Sequence, residues 1–179
     1  MQTPAPFKVV RQEKVSERAL STIRSRYMDP KEIWGIPYGF TLLSKLTGGI
    51  HAKEDSGTNE LTILAARSGV GKSSFAITIA IYVAMFFKKY FPGLQVRIIT
   101  LEMSPDALYT RTVCQLADVN FWKAQTGFME ADELRRIEKA DARLKSLPIT
   151  YIEGSYDMAV IEDFIAREDT ATGQKCGYF

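Results

Sequence analysis

The chain has 179 residues, 46% of them hydrophobic, with 23 Lys and Arg against 21 Asp and Glu for a formal charge of +2. That is apolar material for one sizeable core and points to a single α/β domain, while the near-neutral balance argues against nucleic-acid or membrane recognition by bulk charge and leaves only local contacts. Cys114 and Cys176 are too few and too far apart for a zinc site and fit a reducing compartment, and MQTPAPFKVV lacks the basic and apolar regions of a secretory signal, so a cytoplasmic protein is expected.

Residues 1–11 hold two prolines and little periodicity and read as a flexible arm. From Ser16 to Tyr27 the pattern turns helical, with Leu20, Ile23 and Tyr27 on one stripe and Asp29-Pro30 as the stop. Such a stripe needs an apolar surface, which either its own domain or a neighbouring subunit can supply. Between Trp34 and Glu60, GIPYGFTLLSKLTGGI predicts a turn, a short helix around residues 42–46 and a stop at Gly48-Gly49, followed by a polar loop. The single His51 at the edge of that loop has no cysteine or second histidine nearby and takes no role.

Residues 61–77 read LTILAARSGVGKSSFAI. The run 61–65 is β-prone and uninterrupted, which predicts a strand buried on both faces, and the glycine-bearing turn behind it opens into a helical pattern. A loop of this kind wraps backbone N–H groups around a phosphate, with the helix N-terminus adding partial positive charge. The candidate phosphate-binding residues are Ala66, Arg67, Ser68, Gly69, Val70, Gly71, Lys72, Ser73 and Ser74. Gly69 and Gly71 permit the turn, Lys72 reaches the terminal phosphates as a point charge, and the Ser73 hydroxyl is placed to ligate Mg²⁺; Ser74 is more of a bystander. Ala66 stands where the usual pattern has Gly, a small residue that still fits. The plainer alternative is a strand-turn-helix junction that happens to contain Gly-Lys-Ser.

Phe75 to Phe87 (FAITIAIYVAMFF) is too short to span a membrane, which takes roughly 20 apolar residues, and it is closed by Lys88-Lys89. Its all-round apolarity predicts the helix behind the loop, packed on a sheet and covered by neighbours. QVRIITL (95–101) is the second core strand and ends at Glu102-Met103-Ser104-Pro105. Ligands sit at the C-terminal edge of open α/β sheets, so Glu102 either takes a proton from an attacking water or is simply solvated. Ser104 and Pro105 then cap and open a helix reaching about Ala117, in which Cys114 reads as a small buried hydrophobe. Residues 131–147 carry Leu134, Ile137, Ala140, Leu144 and Leu147 on one helix face, with Asp132/Arg136 and Asp141/Lys145 on solvated ones. PITYIE (148–153) is a third strand, 158–167 a further helix, and 176–179 the opening of a fourth strand.

In order along the chain, GIPYGFTLLSKLTGGI, ELTILAARSGVGKSSFAI, ITLEMSPDALYTR and DVNFWKAQTGFMEADELRRIEKADARLKSLPITYIEG resemble the RecA-like motor domain of DnaB-type replicative helicases, phage versions included, from about Ser16 onward. The resemblance implies a P-loop ATPase of mostly parallel sheet flanked by helices, with an arm and linker helix over 1–30 and a partial RecA-like domain over 31–179. It implies that Lys72 and Ser73 bind ATP and Mg²⁺, and that Glu102 activates the hydrolytic water. It also implies that residues 16–27 are a linker helix docking on the adjacent subunit of a homo-oligomeric ring, expected to be a hexamer. Single-stranded DNA is the implied partner of the full-length protein, with primase or a loader as further ones. The loop 53–58 is longer than the family usually has, and no N-terminal domain is expected ahead of the linker. The strand begun at Cys176 leads toward the Mg²⁺-organising aspartate, so that aspartate, the DNA-gripping loops and the arginine finger are expected beyond Phe179, and slow hydrolysis with weak unwinding is expected of these 179 residues alone. Other readings are a RecA-like recombinase or clock-type ATPase, or a non-catalytic nucleotide-binding assembly module.

Overall fold

A computed structural model of the chain describes residues 10–51, 61–154, 157, 159–161, 163–164, 167 and 177–178. The elements in order are α1 (Gln12–Met28), α2 (Thr41–Thr47), α3 (Lys72–Tyr90), β1 (Val96–Thr100), α4 (Pro105–Ala117), α5 (Phe121–Thr126), α6 (Ala131–Lys145), β2 (Ile149–Glu153) and β3 (Gly177–Tyr178). Residues 1–9 of the expected arm and the loop 53–58 lie outside the described residues.

The strands form a parallel sheet in the order β2-β1-β3, with Val96 opposite both Ile149 and Gly177 and Thr100 opposite Glu153. Parallel pairing needs helical crossovers on the sheet faces, and α4 to α6 supply the one between β1 and β2. α3 sits between two halves of the core. Its Ile77 and Ile81 pack with Leu108, Val113, Ala140 and Leu144 of α4 and α6, while Ile79, Ala80, Val83, Ala84 and Phe87 pack with Tyr38 and Val96. This two-sided burial is why the helix is apolar nearly all round, as its sequence predicts.

Residues 35–50 fold back on themselves. Ile36 and Ile50 exchange backbone hydrogen bonds at 2.8 Å each, and a Cβ on Gly35 would lie 2.5 Å from the Ile50 carbonyl, so this close approach requires glycine. The buried Ser44 hydroxyl accepts from the Tyr38 amide (3.0 Å) and donates to the Phe40 carbonyl (2.9 Å), and α2 ends at Gly48 in the left-handed region.

One expected strand is not formed. Residues 61–65 are irregular, outside the sheet, and expose Leu61 and Ile63 at 84% and 81%. Residues 61–65 pair with none of the described strands, and β-propensity without a pairing partner does not make a strand. The other expected helices and strands are present where their residues are described, with the second and third strands trimmed to Val96–Thr100 and Ile149–Glu153, helical residues at 159–161, 163–164 and 167, and Gly177–Tyr178 of the fourth strand. α1 buries none of its residues, and Leu20, Ile23 and Tyr27 all stand exposed. Of the two surfaces open to that stripe, its own domain does not cover it.

Candidate functional site

The turn ahead of α3 is built by two glycines. Gly69 (φ 79°) and Gly71 (φ 100°) both lie in the left-handed region, and a Cβ on either would meet nothing within 4 Å. Glycine is therefore required here by backbone conformation, not by crowding. Gly71 is the N-cap of α3, and the first intrahelical bond runs from the Phe75 amide to the Gly71 carbonyl at 2.9 Å. The N–H groups of Lys72, Ser73 and Ser74 consequently have no acceptor in the helix, and Gly71 offers no side chain to cap them. Residues 66–74 are exposed, and Lys72 makes no ion pair with any described residue. An exposed row of free donors at the head of a 19-residue helix, with a lysine and a hydroxyl beside it, suits the chemistry of a phosphate and its counter-cation.

The first turn of α3 is fixed from behind. Thr78 donates its hydroxyl to the Ser74 carbonyl at 2.8 Å, and Gln115 of α4 donates to the Thr78 hydroxyl at 2.6 Å. On the other flank the Phe40 ring stacks on Phe75, with centroids 4.8 Å apart. The helix that carries the loop is thus held by the leading segment and by α4.

Glu102 lies just past β1, exposed, in the bend between the strand and α4. The helix beyond it is capped as its sequence predicts: Ser104 accepts from the Ala107 amide at 3.3 Å and Pro105 takes the first helical position. Glu102 makes no hydrogen bond or ion pair with any described residue, Lys72 included, so side-chain contact does not join the carboxylate to the loop. Cys114 is buried, and burial pushes its thiol up, as for a core residue. Among the described residues no cluster of His, Cys, Asp or Glu is arranged for a metal ion, and no helix is long and apolar enough to cross a membrane.

Sequence reasoning missed α5, whose Asn120 cap (2.9 Å from the Trp122 amide) and closing Gly127 are both visible in the sequence. It also missed Gln115 and Thr78, for which no local signal exists across a separation of 37 residues.

A parallel sheet covered by helices, with a glycine turn delivering free amides at the head of its longest described helix, is an α/β arrangement of the RecA-like kind. Two solved structures share the fold. One, described as an ATPase domain, superposes with a TM-score of 0.73 at 19% identity, covering 92% of this chain and 55% of that one. A DnaB-like replicative helicase, described together with its interactions with primase, gives 0.73 at 17% identity, covering 97% and 38%. Residues 35–170 match the DnaB-like helicase C-terminal domain, and the chain belongs to that family.

Relatives include the replicative DNA helicases DnaC of Bacillus subtilis, 33% identical over 131 residues, and DnaB of Geobacillus stearothermophilus, 33% over 129. DnaB of Buchnera aphidicola subsp. Baizongia pistaciae is 31% identical over 144 residues. The matches take in 73%, 72% and 80% of this chain but only 26%, 26% and 29% of those proteins, so the chain spans little more than a quarter of their length.

Proposed function

We propose that this chain is the nucleotide-binding part of a ring-shaped replicative helicase motor, which couples ATP hydrolysis to the unwinding of duplex DNA. The observation that carries the reading is the row of free amides at Lys72, Ser73 and Ser74, presented beyond two glycines in the left-handed region. The residues from Ala66 to Ser74 would wrap the phosphates, and Lys72 would lie along the terminal ones. The Ser73 hydroxyl would help to hold Mg²⁺, which when bound would supply charge neutralisation at the phosphates. Glu102, at the sheet edge where ligands of such folds bind, would orient the attacking water and take its proton.

The chain would divide into an arm and linker helix (1–30) and a partial RecA-like ATPase domain (31–179), and the uncovered stripe of α1 supports a linker that would dock on the neighbouring copy of a hexameric ring. In the whole protein, single-stranded DNA would occupy that ring, with primase or a loader as partner, in the cytoplasm. A second reading, an assembly module without turnover of its own, is favoured by the same unburied helix.

Separate measurement of binding and cleavage tests the proposal. Glu102→Gln should retain affinity for ATP while losing phosphate release, since it keeps the shape of the side chain but cannot take the proton. A Glu102→Gln chain that cleaves ATP as fast as the unsubstituted one would remove Glu102 from the mechanism.

A further inference from the structure

Thr100, the last residue of β1, is buried to 8% exposure, yet its hydroxyl donates to the Met103 carbonyl at 2.6 Å. That bond spans the bend containing Glu102 and ties its far side back to the end of the strand. Beyond it the Ser104 cap and Pro105 start α4, so Glu102 sits at the apex of a turn anchored on one foot in the sheet and on the other in a capped helix. The arrangement matters because the Glu102 side chain has no partner of its own among the described residues. Its direction must come from the backbone, and the backbone there is set by the Thr100 hydroxyl. Packing alone would not select threonine at this place, since valine has the same shape and is at least as strand-prone.

We propose that Thr100 is a positioning residue for Glu102, its hydroxyl holding the Met103 carbonyl so that the carboxylate keeps the orientation needed to take a proton from water. This inference rests on the reading of Glu102 as the water-activating base. Thr100 touches no substrate; it acts through the turn. Losing the hydroxyl should let the bend relax by a fraction of an ångström or more, a scale of displacement to which catalytic geometry is sensitive.

The test compares Thr100→Val, Thr100→Ser and Glu102→Gln in the full chain, following ATP cleavage at saturating ATP, the KM for ATP, and amide hydrogen exchange at Ala107 and Leu108, whose amides donate to Ser104 just beyond the bend. Thr100→Val should lower the saturated rate about 10-fold with KM unchanged and should speed exchange at these two amides, and Thr100→Ser should restore both. A merely structural Thr100 would move the melting temperature and leave the split between rate and KM alone. A Thr100→Val chain that keeps either the rate or the exchange protection overturns the proposal. If Glu102→Gln instead cleaves ATP normally, the reading of Glu102 fails, while exchange still decides whether Thr100 pins the turn.

Discussion

The Phe40 ring lies on the Phe75 ring with centroids 4.8 Å apart and planes inclined by 18°, joining the segment that precedes α2 to the first turn of α3. Both rings are half-buried, and beside them a Cβ on Gly39 would lie 2.6 Å from the Tyr82 ring of the same helix. The leading segment is therefore fitted to α3 at two levels. Phe40→Ala should destabilise the chain by about 2 kcal/mol, less than a fully buried ring would cost. In a double-mutant cycle with Phe75→Ala, measured by urea unfolding, the coupling should be about 1 kcal/mol, and purely additive losses would show that the stack contributes nothing beyond area.

Ser44 gives a sharper case. Removing its hydroxyl with Ser44→Ala leaves little void but orphans the buried Tyr38 amide, for a cost of about 2 kcal/mol. Ser44→Thr keeps the hydroxyl but adds a methyl to a site with 1% exposure, and should also destabilise, by overpacking. Midpoints of chemical denaturation for the two variants separate the effects, since only Ser44→Ala loses protection of the Tyr38 amide against hydrogen exchange.

What the sequence makes legible here is what its neighbours along the chain decide. Ser104 and Pro105 announce the start of α4 because cap and ring act within one turn, and α3 shows itself as an apolar run closed by Phe91-Pro92-Gly93. The loop residues share that legibility, since glycine is demanded by local φ at Gly69 and Gly71. Residues 61–65 mislead for the opposite reason. Their propensity is real, but a strand exists only with a ladder, and they pair with none of the described strands, β1 taking its own partners from segments starting 53 and 81 residues beyond Val96. The brace from Gln115 to Thr78 and the pin from Thr100 to Met103 are likewise set by where helices and strand ends meet, which composition does not encode.

Acid should weaken the link between α5 and α6. The Lys123 ammonium, 2.7 Å from Glu133, and the Glu130 amide hold the Glu133 carboxyl below its ordinary value of 4.5. Because the folded group binds its proton less readily than the unfolded one, its contribution is complete above that ordinary value and is lost as pH falls through the depressed folded one. Glu133→Gln should therefore lower the melting temperature at pH 7 and converge on the unsubstituted chain once the pH has fallen through the depressed folded value; a constant offset at every pH would contradict the ion pair.

Alkali acts at Tyr109. Burial, then its 2.7 Å hydrogen bond to Asp141, pushes the Tyr109 phenol from 10.0 up to about 12. The folded state holds that proton more tightly, so stability is full below the unfolded value and declines as pH rises from 10.0 toward about 12. Tyr109→Phe removes the titration, and its melting temperature should fall less steeply over that interval. An unchanged slope would mean that the phenol is not shielded.

Calorimetric titration of the chain with ATP, with and without Mg²⁺, is the decisive measurement of whether the turn from Ala66 to Ser74 would hold the phosphates of ATP. Binding should be saturable and strengthened by Mg²⁺, weakened at least about 10-fold by Lys72→Ala through loss of a charge-assisted contact, and made insensitive to Mg²⁺ by Ser73→Ala. Binding that survives Lys72→Ala undiminished, or that ignores Mg²⁺ in the unsubstituted chain, would contradict that role of the turn.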